Sequence, residues 1–556
     1  MLVQLLKSLI RGCGICAIAA LVAVAQTGAQ TPAYDILIKN GRIVDGTGNP
    51  WYLDDVGVEA GKIAAIGRLN GAATRTIDAA GLVVAPGFID LHTHTELLGN
   101  PAAQSKVREG VTLDIMGEGG SVAPRDPSRS PSGRGGRGGR GGGQTWSNFN
   151  EYFALLKKQG ISMNIASYVG ASTIRSLVMG YDEGTPSAEQ MARMKQLMTE
   201  AMQQGAMGLS TQFESGGPEH PDEIIELAQI AGQYGGIYGS HIGSEGFQQE
   251  KEIGLVIRLA REAKVPAHIF HFKIRAEENW GTIGRYIAQV EAARAEGLDI
   301  TANEYPYTAM FHGWNAFFPV WARQGGQFAE RLKDPAIRQK IHDDPDFKLW
   351  SKEHGGWEGI VMARAATDAN HKYEGMSVAQ IAKLRGDSDP AMTCINLMAE
   401  EGGGISGVFH TMSEEDVQKV MKLPWVSIAS DGSAIDLNAP GVPHPRNYST
   451  NPRVLGHYVR ELKLLTLEDA VRKMTSLPAQ IIGVSDRGQI HEGFAADIVL
   501  FDPAKVKETN SFEQPKSYPE GIPYVMVNGV LVIDQGQHTG TTPGEVIRGR
   551  GYKQQL

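Results

Sequence analysis

A chain of 556 residues is too long for one simple core and implies two or three structural units, one of them large. Its 42% hydrophobic and 21% charged content is that of a soluble globular protein. A net charge of −9 gives no electrostatic ground for nucleic acid as a partner.

In chain order, residues 1–29 carry Lys7 and Arg11, an apolar stretch from Cys13 to Ala25, and small-residue cleavage positions at Ala23–Ala25 and Thr27–Ala29. This is the pattern of a secretory signal peptide, and the apolar run falls short of the ~20 residues that a spanning helix needs. The chain is therefore expected to be exported, to the periplasm in preference to the medium, with no stable membrane insertion. Removal of the signal leaves Cys394 as the one cysteine, a buried apolar filler, so no internal disulfide is expected.

From Tyr34 to residue 84 apolar and polar residues alternate, with turn signals at Asn40–Gly41 and Gly61–Lys62. The pattern returns in residues 481–556, with turns at Asn528–Gly529 and Gln535–Gly536. The two ends together predict one small β-sandwich domain. Residues 85–480 alternate apolar strands with amphipathic helices, the helix after Ser187 opening with a capping-box spacing to Gln190. This predicts an α/β fold, a (β/α)8 TIM-like barrel. Two segments break the rhythm: the Gly/Arg-rich stretch 125–144, read as a flexible surface loop, and 311–397, read as an insertion forming a lid over the barrel mouth.

Barrel chemistry belongs at the C-terminal ends of the strands. There the sequence offers His92 and His94 in "GFIDLHTH", Glu118 in "VTLDIMGEGG", His241 in "IYGSHIG", His271 and Lys273 in "AHIFHFK", and Asp431 in "WVSIASDG". His92 and His94 share a strand face. By the same alternation only one of His268 and His271 faces inward; His271, the one nearer the strand's C-terminal end, is taken as the inward residue and His268 as a satisfied packing histidine. Four imidazoles and two carboxylates converging on one mouth suit zinc or a similar divalent ion, as one ion or as two bridged by a carboxylate. Such an ion lets water act as the nucleophile near neutrality.

These motifs, with "SHIGSEG", "EYPYTA", "HPR" and "KMTSLPAQIIGVSDRGQIHEGFAADIVLFDP", resemble the metal-dependent amidohydrolase superfamily and, within it, the D-aminoacylase branch of N-acyl-D-amino-acid deacylases. The likeness runs from about Ile36 to Gly540. It implies that His92 and His94 bind one metal and His241 and His271 another, that Asp431 carries the proton from water to the leaving amine, and that Lys273 and Arg446 hold a substrate carboxylate. Tyr305 would polarise the scissile carbonyl, with Tyr307 as its competitor. The implied activity is hydrolysis of a linear amide, the deacylation of N-acyl-D-amino acids. A dipeptidase or cyclic-amide hydrolase with the same site is the alternative, and a non-catalytic binding protein ranks below both.

Four departures from the branch stand out. Glu118 in "GEGG" replaces a metal-binding Cys of "GNCG", which predicts a more symmetric binuclear site. Gly243 stands where the branch has an Arg. The stretch from Asp431 to "HPR" is longer than usual, and the 125–144 insertion lacks a counterpart.

Overall fold

The computed structural model describes residues 33–126, 145–180, 182–213 and 220–553. The expected signal peptide, and residues 127–144 of the Gly/Arg-rich segment, lie outside the described residues.

Eight parallel strands form the barrel: β1 (Phe88–Thr93), β2 (Val111–Met116), β3 (Asn164–Ser167, resuming at Val169–Gly170), β4 (Gly208–Gln212), β5 (Ile237–His241), β6 (Ala267–Ile269), β7 (Ile300–Glu304) and β8 (Val426–Ile428). Pairing divides them into runs β1-β2-β3 and β3-β4-β5-β6-β7-β8 because β3 is interrupted at Tyr168. The Tyr168 N–H still reaches the carbonyl of Met116, and the N–H of Met207 that of Ser167. The other seam closes above the strands: Thr93 bridges Gly432 in parallel, the Asp431 N–H donates to the His92 carbonyl at 3.0 Å, and the His94 N–H to that of Gly432 at 2.7 Å. The seam that shuts the barrel thus runs through three residues singled out for chemistry.

Helices cover the outside. That of Ala188–Gln203 starts with the predicted capping box, Gln190 N–H to Ser187 Oγ at 3.2 Å and Ser187 N–H to Gln190 Oε1 at 2.8 Å.

The two ends of the chain meet in one nine-stranded sheet around its own core of Ile38, Val56, Val58, Ile77, Ile498, Leu500 and Met526. Its strand Tyr34–Ile43 runs straight through Asn40–Gly41, where the expected turn is instead a bulge with Asn40 at φ 59°. The other turn signals act as turns: Asn528 and Gly529 both take positive φ, as a two-residue hairpin requires.

Residues Ala309–His410 leave the barrel after β7 and return before β8. Their three antiparallel strands, Ala309–Gly313, Ile360–Arg364 and Ser406–His410, pack with short helices around Trp314, Phe317, Phe318 and Phe409. Cys394 is buried in this unit.

Candidate metal centre

Glu118 lies two residues past β2, and the loop that carries it needs glycine on both sides. Gly117 has φ 101° and Gly119 φ 60°, a region that side-chain-bearing residues rarely adopt. The turn is pinned by the Gly119 N–H to Ser210 Oγ at 3.0 Å and by the Gly119 carbonyl, which accepts from Ser172 N–H at 3.1 Å. The buried carboxylate then faces two ways. Oε2 stands 3.1 Å from Nε2 of His92 and 3.0 Å from Nε2 of His94, while Oε1 stands 2.7 Å from Nδ1 of His241 and 3.7 Å from Nε2 of His271.

Asp431 completes the first group, its Oδ1 3.0 Å from His94 Nε2 and 3.7 Å from His92 Nε2. Two donor sets result, His92–His94–Glu118–Asp431 and Glu118–His241–His271, each with its donor atoms within 4.8 Å of one another and sharing Glu118. Both sets fit a divalent cation. The donor types are those of zinc, and both ring nitrogens of His92 are buried without a hydrogen-bond partner among the described residues.

The electrostatics point the same way. Burial pushes the Glu118 carboxyl up, but the surrounding imidazoles, His92 first, hold it well below the usual range. Burial lowers His94, yet hydrogen bonds to Asp431 and Glu118 raise it to about 9. The carboxylates therefore draw positive charge to this point, and a bound dication would supply it in place of ring protons.

His271 and Asp431 share a second trait. Strand β6 ends at Ile269, and His271 has φ 36°; Asp431 has φ 50°. Left-handed backbone at side-chain-bearing residues costs about 1–3 kcal/mol and gathers at working sites. His271 therefore reaches the centre by a turn after the strand, with its N–H on Asn303 Oδ1 at 2.7 Å, and not by continued alternation. Phe270 also faces the site, its ring stacked on His92 at 4.3 Å. His268 is the satisfied histidine, bonded to Thr301 Oγ1 at 2.8 Å and Asn303 Nδ2 at 2.9 Å.

Lys273, Tyr305 and Arg446 cluster beside the donors. The Lys273 ammonium lies 5.3 Å and the Arg446 guanidinium 5.0 Å from the centre of the Tyr305 ring, which meets His271 at 6.3 Å. Arg446 Nη1 is 2.7 Å from Asp431 Oδ2, and Lys273 Nζ is 2.6 Å from Glu245 Oε1. The Tyr305 hydroxyl approaches the Met412 sulfur at 3.8 Å. Tyr307 packs on His444 and Phe512 and is covered by Arg453. Gly243 lies against Glu252, its N–H 3.2 Å from Oε2.

Sequence reasoning missed Glu245. Its Oε1 serves Lys273 and also stands 2.7 Å from His271 Nδ1, an ion-pair distance. A carboxylate four residues past a strand-end histidine, inside the quoted "SHIGSEG", was the available signal.

The sequence pattern of the Amidohydrolase family matches residues 75–533. A D-aminoacylase of Alcaligenes xylosoxydans xylosoxydans is 33% identical over 526 residues, 93% of this chain and 98% of the relative. N-acyl-D-glutamate deacylase of Bordetella bronchiseptica, solved with zinc and a phosphonate mimic of the tetrahedral intermediate, superposes with a TM-score of 0.77 at 28% identity, over 93% of this chain and 100% of that one. A D-aminoacylase structure addressing the role of that enzyme's binuclear metal centre gives a TM-score of 0.78 at 31% identity, again over 93% and 100%. This chain belongs to the amidohydrolase family.

Proposed function

We propose that the protein is an exported, periplasmic, metal-dependent deacylase of N-acyl-D-amino acids. The observation that carries the reading is Glu118, whose two oxygens face two histidine pairs while Asp431 stands at the first. The basic and apolar start of the chain supports export, and the substrate class follows from the relatives named above.

His92 and His94 would hold one zinc ion and His241 and His271 a second, with Glu118 between them. Bound zinc supplies Lewis-acid polarisation and makes water nucleophilic near neutrality. Asp431 accepts the proton of the attacking water at Oδ1 and returns it to the leaving nitrogen, so that one amide and one water become a carboxylate and an amine. Arg446, on Asp431 Oδ2, keeps that carboxylate ionised between turnovers. Among the described residues the Tyr305 hydroxyl has a thioether, a weak acceptor, as its one hydrogen-bond partner, and it donates to the scissile carbonyl oxygen. Lys273 and Arg446 hold the substrate carboxylate, the Arg by its forked donors and the Lys as a point charge.

The test compares N-acetyl-D- and N-acetyl-L-amino acids with dipeptides and hydantoins, on chelator-treated and zinc-restored protein. Turnover of the D-acyl compounds that appears with zinc supports the proposal. Zinc-dependent turnover confined to the other classes overturns the substrate assignment.

A further inference from the structure

Beneath Asp431 lies a second cluster of charge that the reaction above does not use. Lys106, on the short helix Gln104–Val107, is fully buried and faces three carboxylates. Its Nζ is 2.8 Å from Asp90, 3.3 Å from Glu109 and 3.9 Å from Asp114, and it donates to Ser430 Oγ at 2.9 Å. None of these carboxylates is more than 4% exposed.

The contacts with Ser430, Asp90 and Asp114 lead to the loop that carries Asp431, whereas Glu109 accepts from the Asn451 N–H. The Ser430 N–H donates to both oxygens of Asp90, at 3.1 and 3.2 Å, and Ser430 Oγ also accepts from the Gly432 N–H at 2.9 Å. Farther along, the Ala434 N–H donates to Thr95 Oγ1 at 3.1 Å, and that hydroxyl donates to Asp114 Oδ2 at 2.5 Å. Both ends of the Ser430–Ala434 loop are thus fastened to carboxylates that share one ammonium. Between the anchors Asp431 holds its left-handed backbone. Glu109 Oε1 and Asp114 Oδ1 have no hydrogen-bond partner among the described residues, so the loop is held by the hydrogen bonds through Asp90, Ser430 and Thr95, and buried bonds of this kind fix geometry.

We propose that Lys106 is a positioning residue for Asp431, acting through Ser430 at one end of the loop and through Asp114 and Thr95 at the other. Lys106 touches neither substrate nor donor set; it sets where the proton-carrying carboxylate stands. The proposal rests on the role given to Asp431 above.

Ser430→Ala removes one hydroxyl and no charge. On zinc-loaded protein with an N-acetyl-D-amino acid, kcat should fall tenfold or more while KM and bound zinc stay within twofold. The cobalt-substituted variant should show a shifted d–d spectrum, because an Asp431 oxygen belongs to the first donor set. Thr95→Val should act alike from the other end, and Lys106→Met combined with Asp114→Asn should reproduce both effects with one charge of each sign removed. Wild-type kcat and an unchanged cobalt spectrum in Ser430→Ala and Thr95→Val overturn the proposal, as does a loss of kcat that merely follows loss of zinc or of folded protein. If wild-type protein turns over no N-acyl-D-amino acid, the functional reading fails, and the cobalt spectrum still decides whether this network places Asp431.

Discussion

Glu245 stands 2.7 Å from His271, its Oε1 against the imidazole Nδ1, and the same oxygen receives the Lys273 ammonium. One buried carboxylate therefore orients a metal-set histidine and a cation assigned to substrate. With Nδ1 turned to a carboxylate, Nε2 is the ring nitrogen left for a cation. Replacing such an orienting carboxylate costs roughly 10–100-fold in metal affinity. Glu245→Gln should lower zinc affinity by about that factor in a chelator competition, with the fold intact by circular dichroism. Unchanged zinc affinity would remove Glu245 from the centre's support.

Asp431→Asn keeps the shape of the side chain and removes its capacity to accept a proton. A positioned general acid–base contributes roughly 10²–10⁴ in rate. The variant should lose about that much kcat while retaining the zinc bound by His92, His94 and Glu118, measured by metal analysis on the sample assayed. Full activity in the Asn variant would take the proton transfer away from this residue.

Much of this centre was legible because barrel geometry and strand-end residue types are both written locally. His92 lies on β1 and His94 one residue past its end, two apart as the sequence spacing implied, and Glu118, His241 and Asp431 each close an apolar run. His271 was chosen as the histidine nearer the strand's C-terminal end; the strand stops at Ile269, and His271, at φ 36°, joins the donor set from the turn that follows. Lys106 was illegible. Its helix has four residues and its three carboxylates are spread from Asp90 to Asp114, a grouping that exists only once β1 and β2 are side by side. The Asn40–Gly41 pair failed differently, since the dipeptide that favours a hairpin turn also suits a bulge, and pairing with Leu53 and Asp54 decided between them.

The glycine after Glu118 is a sharp test of how the carboxylate shared by the two donor sets is held. A Cβ at Gly119 would lie 2.8 Å from the Gln212 backbone nitrogen, and φ is 60° there. Neighbouring backbone cannot give way as a flexible side chain can, so the Glu118 turn must shift. Gly119→Ala should destabilise the protein by about 1–3 kcal/mol and lower zinc stoichiometry more than Gly120→Ala, whose nearest neighbours are 3.8 Å away or farther. Equal behaviour of the two variants would refute the argument.

Arg446 offers a pH test. Burial pushes the Asp431 carboxyl up, but the Arg446 guanidinium, followed by His92, outweighs it and holds the group well below the usual carboxylate range. Removing one nearby cation returns a carboxylate pKa upward by about 1–3 units. In Arg446→Met the acid limb of the kcat profile should move to higher pH, because Asp431 is then protonated sooner as pH falls. KM should rise as well through loss of a donor to the substrate carboxylate. An acid limb that stays in place would separate Arg446 from Asp431.

Glu304 gives a stability prediction with a definite sign. It ends β7 fully buried, Oε1 accepts the Tyr305 N–H at 3.0 Å, and Oε2 has no hydrogen-bond partner among the described residues. Burial raises its pKa to about 8 against the opposing pull of Lys273, whereas an unfolded Glu titrates near ~4.3. Between those values the folded state holds a proton that the unfolded state has released, so stability falls as pH rises through the window and levels off above the folded pKa. The slope is about 1.4 kcal/mol per pH unit for one proton. Glu304→Gln keeps a neutral side chain at every pH and loses that slope. Denaturant midpoints of metal-free protein from pH 6 to 9 should converge toward acid and separate toward alkali, the wild type becoming the less stable of the two by pH 8. Since His94 and His271 titrate in both proteins, the difference between the two curves isolates Glu304, and parallel curves would show that its carboxyl is already ionised in the folded state.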